Sequence, residues 1–191
     1  LSKSELVANQ DTPKLPQKFI LFFGRIEDKI KNISLLIDGY NQSKLAKNNI
    51  KLVVLGDGPD VLKLQQYAKK LQLSDFIDFR PFVPNPSAII KNAIFSVLTS
   101  QYEGFPMVLI ESLSFGIPVV SVDCKSGPKE VVQNEMNGLI VENHNPKALA
   151  KAFNHLIEDE QLYRHCKQNA KKSVEKFSAD IISKSWLNLL K

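Results

Sequence analysis

Two carboxylates bracket the stretch of this chain with the most chemistry in it. They are Glu103 and Glu111, within Ser100-Gln101-Tyr102-Glu103-Gly104-Phe105-Pro106-Met107-Val108-Leu109-Ile110-Glu111. Pro106 suits the first turn of a helix, because its φ is preset for it. Gly116, with Pro118 just beyond, suits the end. The spacing predicts a helix over 106–115, about 10 residues and roughly 15 Å long. A helix start offers unpaired N–H groups carrying about half a positive charge, which suits a phosphate. Gly104 lets another group approach the backbone closely. Glu111 falls inside the helix among Met107, Val108, Leu109, Ile110 and Leu113. A buried carboxylate is costly unless paired. A ribose diol would satisfy it, since hydrogen bonds to a charged group contribute about 1.5–3 kcal/mol each. A Lys or Arg from a neighbouring loop would do the same as a structural ion pair. Glu103, ahead of the helix, is either an acidic helix-start residue, favourable by up to ~1 kcal/mol, or a group that meets a sugar or a developing positive charge.

Such residues need a scaffold, and the hydrophobic pattern describes one. Residues 1–17 are polar, with Pro13 and Pro16 and no periodicity, and read as a linker. Phe19 to Phe23 is a continuous apolar run, the mark of a strand buried on both faces. Ile33, Leu36, Ile37 and Tyr40 follow at helical spacing. The alternation continues with strands predicted at 52–55, 76–79, 94–98, 118–122 and 139–141. Helices are predicted at 61–71, 88–91, 106–115 and 128–133, and everything from 146 onward is helical. Strand alternating with helix argues for an α/β domain: a doubly wound, Rossmann-like parallel sheet of about six strands with helices on both faces. At 43% hydrophobic and 24% charged, 191 residues suffice for one domain with a proper core.

Ligands of such sheets bind outside the carboxyl ends of the strands. Small, polar and charged residues follow each strand: Gly24 and Arg25 with Lys29 and Lys31, then Gly56-Asp57-Gly58, Arg80 to Pro84, Thr99 with Ser100, and Asp123 with Ser126 and Gly127. Gly56-Asp57-Gly58 lacks the third glycine of a dinucleotide fingerprint and follows the second strand, so a tight turn and a ligand contact are equally good readings. No phosphate-binding G-x-x-x-x-G-K-[ST] occurs. Cys124 and Cys166 form no C-x-x-C and read as reduced thiols of a cytoplasmic protein. His144, His155 and His165 have no metal-ligand spacing and read as structural or surface residues, so no metal is expected. The net charge of +5 fits an anionic ligand. The basic residues are scattered and no recognition motif accompanies them, so nucleic acid is not expected. Arg164, Lys167, Lys171 and Lys172 share one side of a late helix; a solvated face is the simpler reading, an anionic membrane surface the sharper one. No apolar run approaches the ~18 residues of a spanning helix.

Glu103 and Glu111 form E-x7-E with Glu103-Gly104-Phe105-Pro106 inside it and Gly116-Ile117-Pro118-Val119-Val120 after it. In that setting the chain resembles the retaining glycosyltransferases of the GT-B fold, family four, in their C-terminal donor-binding domain. Further pieces match in order: Gly24-Arg25 with a lysine shortly after, Leu55-Gly56-Asp57-Gly58-Pro59, Phe82-Val83, Ser126-Gly127-Pro128-Lys129-Glu130 and Asn137-Gly138-Leu139-Ile140-Val141. The resemblance covers about residues 18 to 190.

The resemblance implies a domain over 18–191 that binds a nucleotide-sugar, by family preference a UDP-sugar, while an N-terminal half that meets the acceptor lies outside this sequence. It implies that Arg25 and Lys31 hold the diphosphate and, with Glu103, form the catalytic set. Glu103 would contact the transferring sugar, Glu111 the ribose, and Val83 the base. Gly24 and the segment Gly104, Phe105, Pro106, Met107 and Val108 would complete the donor site, with backbone amides on the sugar and phosphate. Leaving-group charge would be met by Arg25, Lys31 and the helix start, without a metal or other cofactor. The sequence departs from the family at two places. The Arg-to-Lys spacing is one residue longer than usual, so Lys29 is an alternative; Lys31 is preferred because Asn32-Ile33 then opens the helix in the usual frame. Pro81 stands where the family usually has glycine. The implied reaction is sugar transfer to a glycan or lipid-linked acceptor in surface polysaccharide synthesis, in the cytoplasm or peripherally at the inner face of the membrane. A sugar-nucleotide epimerase of the same fold is an alternative that the E-G-F-P context disfavours. A non-catalytic nucleotide-binding module is another, and the isolated chain is expected to bind without transfer.

Overall fold

Five consecutive apolar side chains, Phe19–Phe23, form β1, and every one of them is buried. Alternate side chains of a strand point to opposite faces, so β1 feeds two cores. Ile20 and Phe22 join the larger one and Phe19, Leu21 and Phe23 the other. The computed structural model describes residues 14–189. The remaining strands are β2 (Lys51–Leu55), β3 (Ile77–Arg80), β4 (Ser96–Leu98), β5 (Val119–Asp123) and β6 (Gly138–Glu142). They form one sheet in the order β3-β2-β1-β4-β5-β6, with every pairing parallel. The order reverses between β1 and β4, which makes the carboxyl end of that pair the expected ligand crevice.

The helices are α1 (Asp28–Lys31), α2 (Ile33–Gln42), α3 (Val61–Lys70), α4 (Ser87–Asn92), α5 (Met107–Ser114), α6 (Pro128–Val131), α7 (Pro146–Glu158), α8 (Glu160–Ser173) and α9 (Ala179–Leu189). Leu36 of α2, Leu64 of α3 and Leu149 and Phe153 of α7 pack on the face that Ile20 and Phe22 share. Phe153 meets Phe95 with ring centroids 5.6 Å apart. Ile90 of α4 and Val108 of α5 pack on the opposite face, beside Leu21 and Phe23. The architecture is the doubly wound Rossmann-like sheet that the sequence pattern predicts.

Several boundaries differ from expectation. α5 has 8 residues rather than about ten, and Pro106 is its N-cap, with φ −81° and ψ 75°, rather than its first helical residue. α6 ends at Val131. The late helical stretch is broken at Asp159, whose side chain accepts from the Leu162 amide and starts α8. α1 was not expected; Asn32, with φ 49°, ends it and turns the chain into α2. Most of the predicted linker, residues 1–13, lies outside the described residues; its described end, 14–17, has no regular structure, and Leu15 packs on the second core.

Candidate functional site

The loops at the switch point are held by backbone. The Gly24 amide donates to the Leu55 carbonyl at 3.0 Å, that of Ile26 to Asp57 at 2.8 Å, and that of Gly56 to Arg80 at 2.9 Å. The Phe82 amide donates to Asp57 Oδ2 at 3.2 Å. Gly56 has φ 146°, and a Cβ there would stand 1.9 Å from the Gly24 carbonyl oxygen. Of the two readings of Gly56-Asp57-Gly58, the structural one accounts for these contacts: the turn lets the ends of β1 and β2 touch, and Asp57 pins the chain after β3.

These loops and α5 enclose a cavity of about 220 Å³ lined by Phe23, Gly24, Leu55, Phe82, Val83, Pro84, Pro86, Val108 and Glu111. Gly24, Val83, Val108 and Glu111, named from sequence, thus meet in one place. The walls are mostly apolar and Glu111 is the single ionisable group on them. Among the described residues its carboxylate has neither an ion pair nor a hydrogen bond, so the Lys or Arg partner considered from sequence is absent there. Burial pushes its pKa above the ordinary glutamate value. A carboxylate held beside apolar walls without a partner is an acceptor waiting for donors.

Beyond α5's N-terminus the surroundings change. Lys31 Nζ lies 2.7 Å from Glu103 Oε1, with the two side chains 24% and 11% exposed. Ser100 Oγ donates to the same oxygen at 2.6 Å. Thr99 Oγ1 donates to the Lys31 carbonyl at 2.8 Å, and the Gln101 amide to that of Ile30 at 2.8 Å. The last turn of α1 is therefore tied to the chain after β4, and two sequence-predicted residues 72 positions apart become a pair. Lys29, the alternative, is exposed and has no such contact among the described residues. Ser126 Oγ donates to the Glu103 carbonyl. It belongs to a second, wider hollow of about 450 Å³ lined by Asp123, Cys124, Lys125, Ser126, Gly127, Lys129 and Glu130.

Arg25 is 70% exposed, and its guanidinium lies 3.0 Å from the Glu27 carboxylate. Phe105 turns its ring to Phe177, edge to face at 5.3 Å. The Met107 amide donates to the Phe105 carbonyl at 2.9 Å, and the Leu109 amide to that of Pro106 at 3.0 Å. Pro106 has no N–H to offer. The expected row of free amides from Gly104 to Val108 is thus reduced, among the described residues, to Gly104, Phe105 and Val108. Gly104 does face open space: a Cβ there would meet nothing within 4 Å. Ser100 and Ser126 entered the sequence reading only as small residues following strands; their bonds to Glu103 depend on loop geometry that carries no sequence signal.

Cys124 and Cys166 are free and buried, and burial pushes both thiols up, Cys166 to about 11. The three histidines are exposed, and Arg164, Lys167, Lys171 and Lys172 form a solvent-facing side of α8. Among the described residues no group of three or more His, Cys, Asp or Glu side chains could hold a metal ion, and no helix is long and apolar enough to cross a membrane.

The family profile of the glycosyl transferases group 1 matches residues 5–173. The lipopolysaccharide 1,6-galactosyltransferase of Escherichia coli K12 is 36% identical over 162 residues, 82% of this chain and 44% of that protein. The N-acetylgalactosamine-N,N'-diacetylbacillosaminyl-diphospho-undecaprenol 4-alpha-N-acetylgalactosaminyltransferase of Campylobacter jejuni is 35% identical over 176 residues, 92% of this chain and 47% of that protein. The chain spans about half the length of the curated relatives it matches. Among solved structures, a Staphylococcus aureus TarM mutant in complex with fondaparinux, alpha-GlcNAc-glycerol and UDP superposes with a TM-score of 0.83 at 27% identity, over 95% of this chain and 37% of that one.

Proposed function

The chain belongs to the glycosyl transferases group 1 family, and from that premise we propose that it is the donor-binding half of a retaining sugar transferase that uses a UDP-sugar. The observation that carries the reading is the unpartnered Glu111 carboxylate on an apolar cavity at the switch point of the sheet. A nucleoside fits that cavity: base against Phe82, Val83 and Pro84, and ribose hydroxyls on Glu111. The bound UDP of the TarM structure supports the choice of base.

With the ribose there, the diphosphate runs past Gly24 toward the α5 N-terminus. Lys31 meets it with the ammonium protons that Glu103 does not use, and Arg25, whose exposed side chain is free to swing from Glu27, adds a planar fork of donors. The transferring sugar then lies beside Glu103 and the open backbone at Gly104. As the bond from the anomeric carbon to the diphosphate breaks, negative charge grows on the leaving phosphate and positive charge on the sugar ring. Lys31, Arg25 and the backbone amides stabilise the first, and Glu103 faces the second. The bond to the acceptor oxygen forms on the same face, and the acceptor proton passes to the departing phosphate. The acceptor is a glycan or a lipid-linked precursor, in keeping with the lipopolysaccharide and diphospho-undecaprenol in the names of the two relatives, and it is met by a wall outside this sequence.

The test is calorimetric titration of the chain with UDP, GDP and ADP, repeated with Glu111→Ala. UDP binding that Glu111→Ala weakens is the expected result. No binding of any nucleotide, or unchanged affinity in the variant, overturns the reading.

A further inference from the structure

We propose that Ser100 is a positioning residue: it holds Glu103 so that one carboxylate oxygen is kept for the transferring sugar. The inference rests on the site reading above and extends it to a residue that touches no ligand. Ser100 is fully buried at the end of β4. Its hydroxyl and the Lys31 ammonium both meet Glu103 Oε1, at 2.6 and 2.7 Å. An ionised carboxylate offers about four lone-pair sites across its two oxygens. Here two donors converge on one oxygen, and among the described residues Oε2 has none. A glutamate side chain is otherwise among the most rotamer-rich, and fixing it costs conformational entropy. Two bonds to a single oxygen set the carboxylate's orientation before any sugar arrives and leave the other oxygen without a donor among the described residues.

The backbone around the pair is fixed by the same short segment. Thr99, also fully buried, donates its hydroxyl to the Lys31 carbonyl, and Ser126 donates to the Glu103 carbonyl. Thr99 therefore holds the lysine's main chain, Ser126 the glutamate's, and Ser100 the carboxylate itself. Of these three bonds only the last is made to the carboxylate. The alternative is a buried hydroxyl that has found its nearest acceptor, with no consequence for a ligand.

The two accounts separate in a binding experiment on the chain. UDP, UDP-glucose, UDP-galactose and their N-acetyl counterparts are titrated into the wild type, Ser100→Ala, Glu103→Gln and the double variant. The expected result is a UDP-sugar that binds the wild type more tightly than UDP does, with Ser100→Ala leaving UDP within about twofold while removing about tenfold of the sugar's advantage. Glu103→Gln should remove it as well, and the double variant should lose nothing further, because Ser100 acts only through Glu103. Ser100→Cys, which keeps the side-chain shape but donates weakly, should match Ser100→Ala and serves in its place if that variant folds poorly. Equal losses for UDP and UDP-sugar, additive losses in the double variant, or a wild type that gains nothing from any sugar overturn the proposal while the nucleotide reading stands. A wild type that binds no UDP overturns the nucleotide reading itself.

Discussion

Glu103 and Glu111 belong to one motif, eight positions apart, and the structure treats them in opposite ways. Glu103 has its partners already: Lys31 and Ser100 on one oxygen. Glu111 has none among the described residues and sits against apolar walls. The surroundings differ in the same sense. The Glu111 end is shaped by backbone, through the touching turns at Gly24 and Gly56 and the Ile26 amide that the Asp57 carbonyl accepts. The Glu103 end is shaped by side chains, through Thr99, Ser100, Ser126 and Lys31. A flat, uncharged base needs a slot of fixed width, which backbone contacts provide. A charged, stereochemically varied sugar phosphate needs aimed donors and acceptors, which side chains provide. On the proposed reading, the unpaired carboxylate is where the ligand supplies the donors, and the paired one is where the protein is organised in advance.

The strongest way to break that contrast is to remove the backbone contact. Gly56→Ala puts a Cβ 1.9 Å from the Gly24 carbonyl oxygen. Overlap with backbone, added to strain at a positive φ, should cost about 4 kcal/mol and lower Tm by roughly 10 °C. A circular-dichroism melt that shifts by only a degree or two would mean the apolar end is not held by that contact. Next comes the ligand. Glu111→Ala should weaken UDP about 30-fold, since about 2 kcal/mol of charge-assisted hydrogen bonding to the ribose is lost. Lys31→Met should weaken it less, about tenfold, and should flatten its salt dependence, because the lysine meets a solvent-accessible phosphate. If calorimetry reverses that ranking, the diphosphate rather than the ribose anchors the nucleotide, and the difference between the two ends is one of charge alone.

Much of this was legible in the residues, for reasons that differ by element. β1 could be read to the residue, because five apolar side chains buried on both faces leave no other element of that length. α5 could be placed but not bounded: Pro106 is compatible with both the N-cap and the first turn, and the choice is made by a local bond from the Met107 amide to Phe105. α1 was hidden because four residues have no apolar period. Lys31 and Glu103 could each be named, but their meeting depends on how α1 is tied to the chain after β4, which no spacing encodes. The packing of the Phe105 ring on Phe177 was hidden for a similar reason, the partner lying far along the chain.

The smallest expected effect is also the sharpest on the contrast itself. Burial raises the pKa of Glu111 above its ordinary 4.5 in the folded chain. A carboxyl whose folded pKa lies above its unfolded value favours folding fully only below the unfolded pKa. That contribution is lost as pH rises through the folded value, so at neutral pH the ionised group is a burden on the empty protein. Glu111→Gln removes the charge and keeps the shape. It should raise Tm at pH 7 by about 1–2 °C, and the gain should shrink toward zero near pH 4, where the wild-type carboxyl is protonated as well. The same titration acts on the ligand with opposite sign, because only the ionised form accepts from both ribose hydroxyls. UDP affinity should therefore weaken on acidification, beginning at a higher pH than for an ordinary glutamate, and Glu111→Gln should be weaker throughout and flat over that window. Glu103→Gln, which removes the charge paired with Lys31, should instead lower Tm. Stabilisation by the first substitution and destabilisation by the second would separate a carboxylate kept for a ligand from one already in use by the fold, and two melts that move in the same direction would erase that distinction.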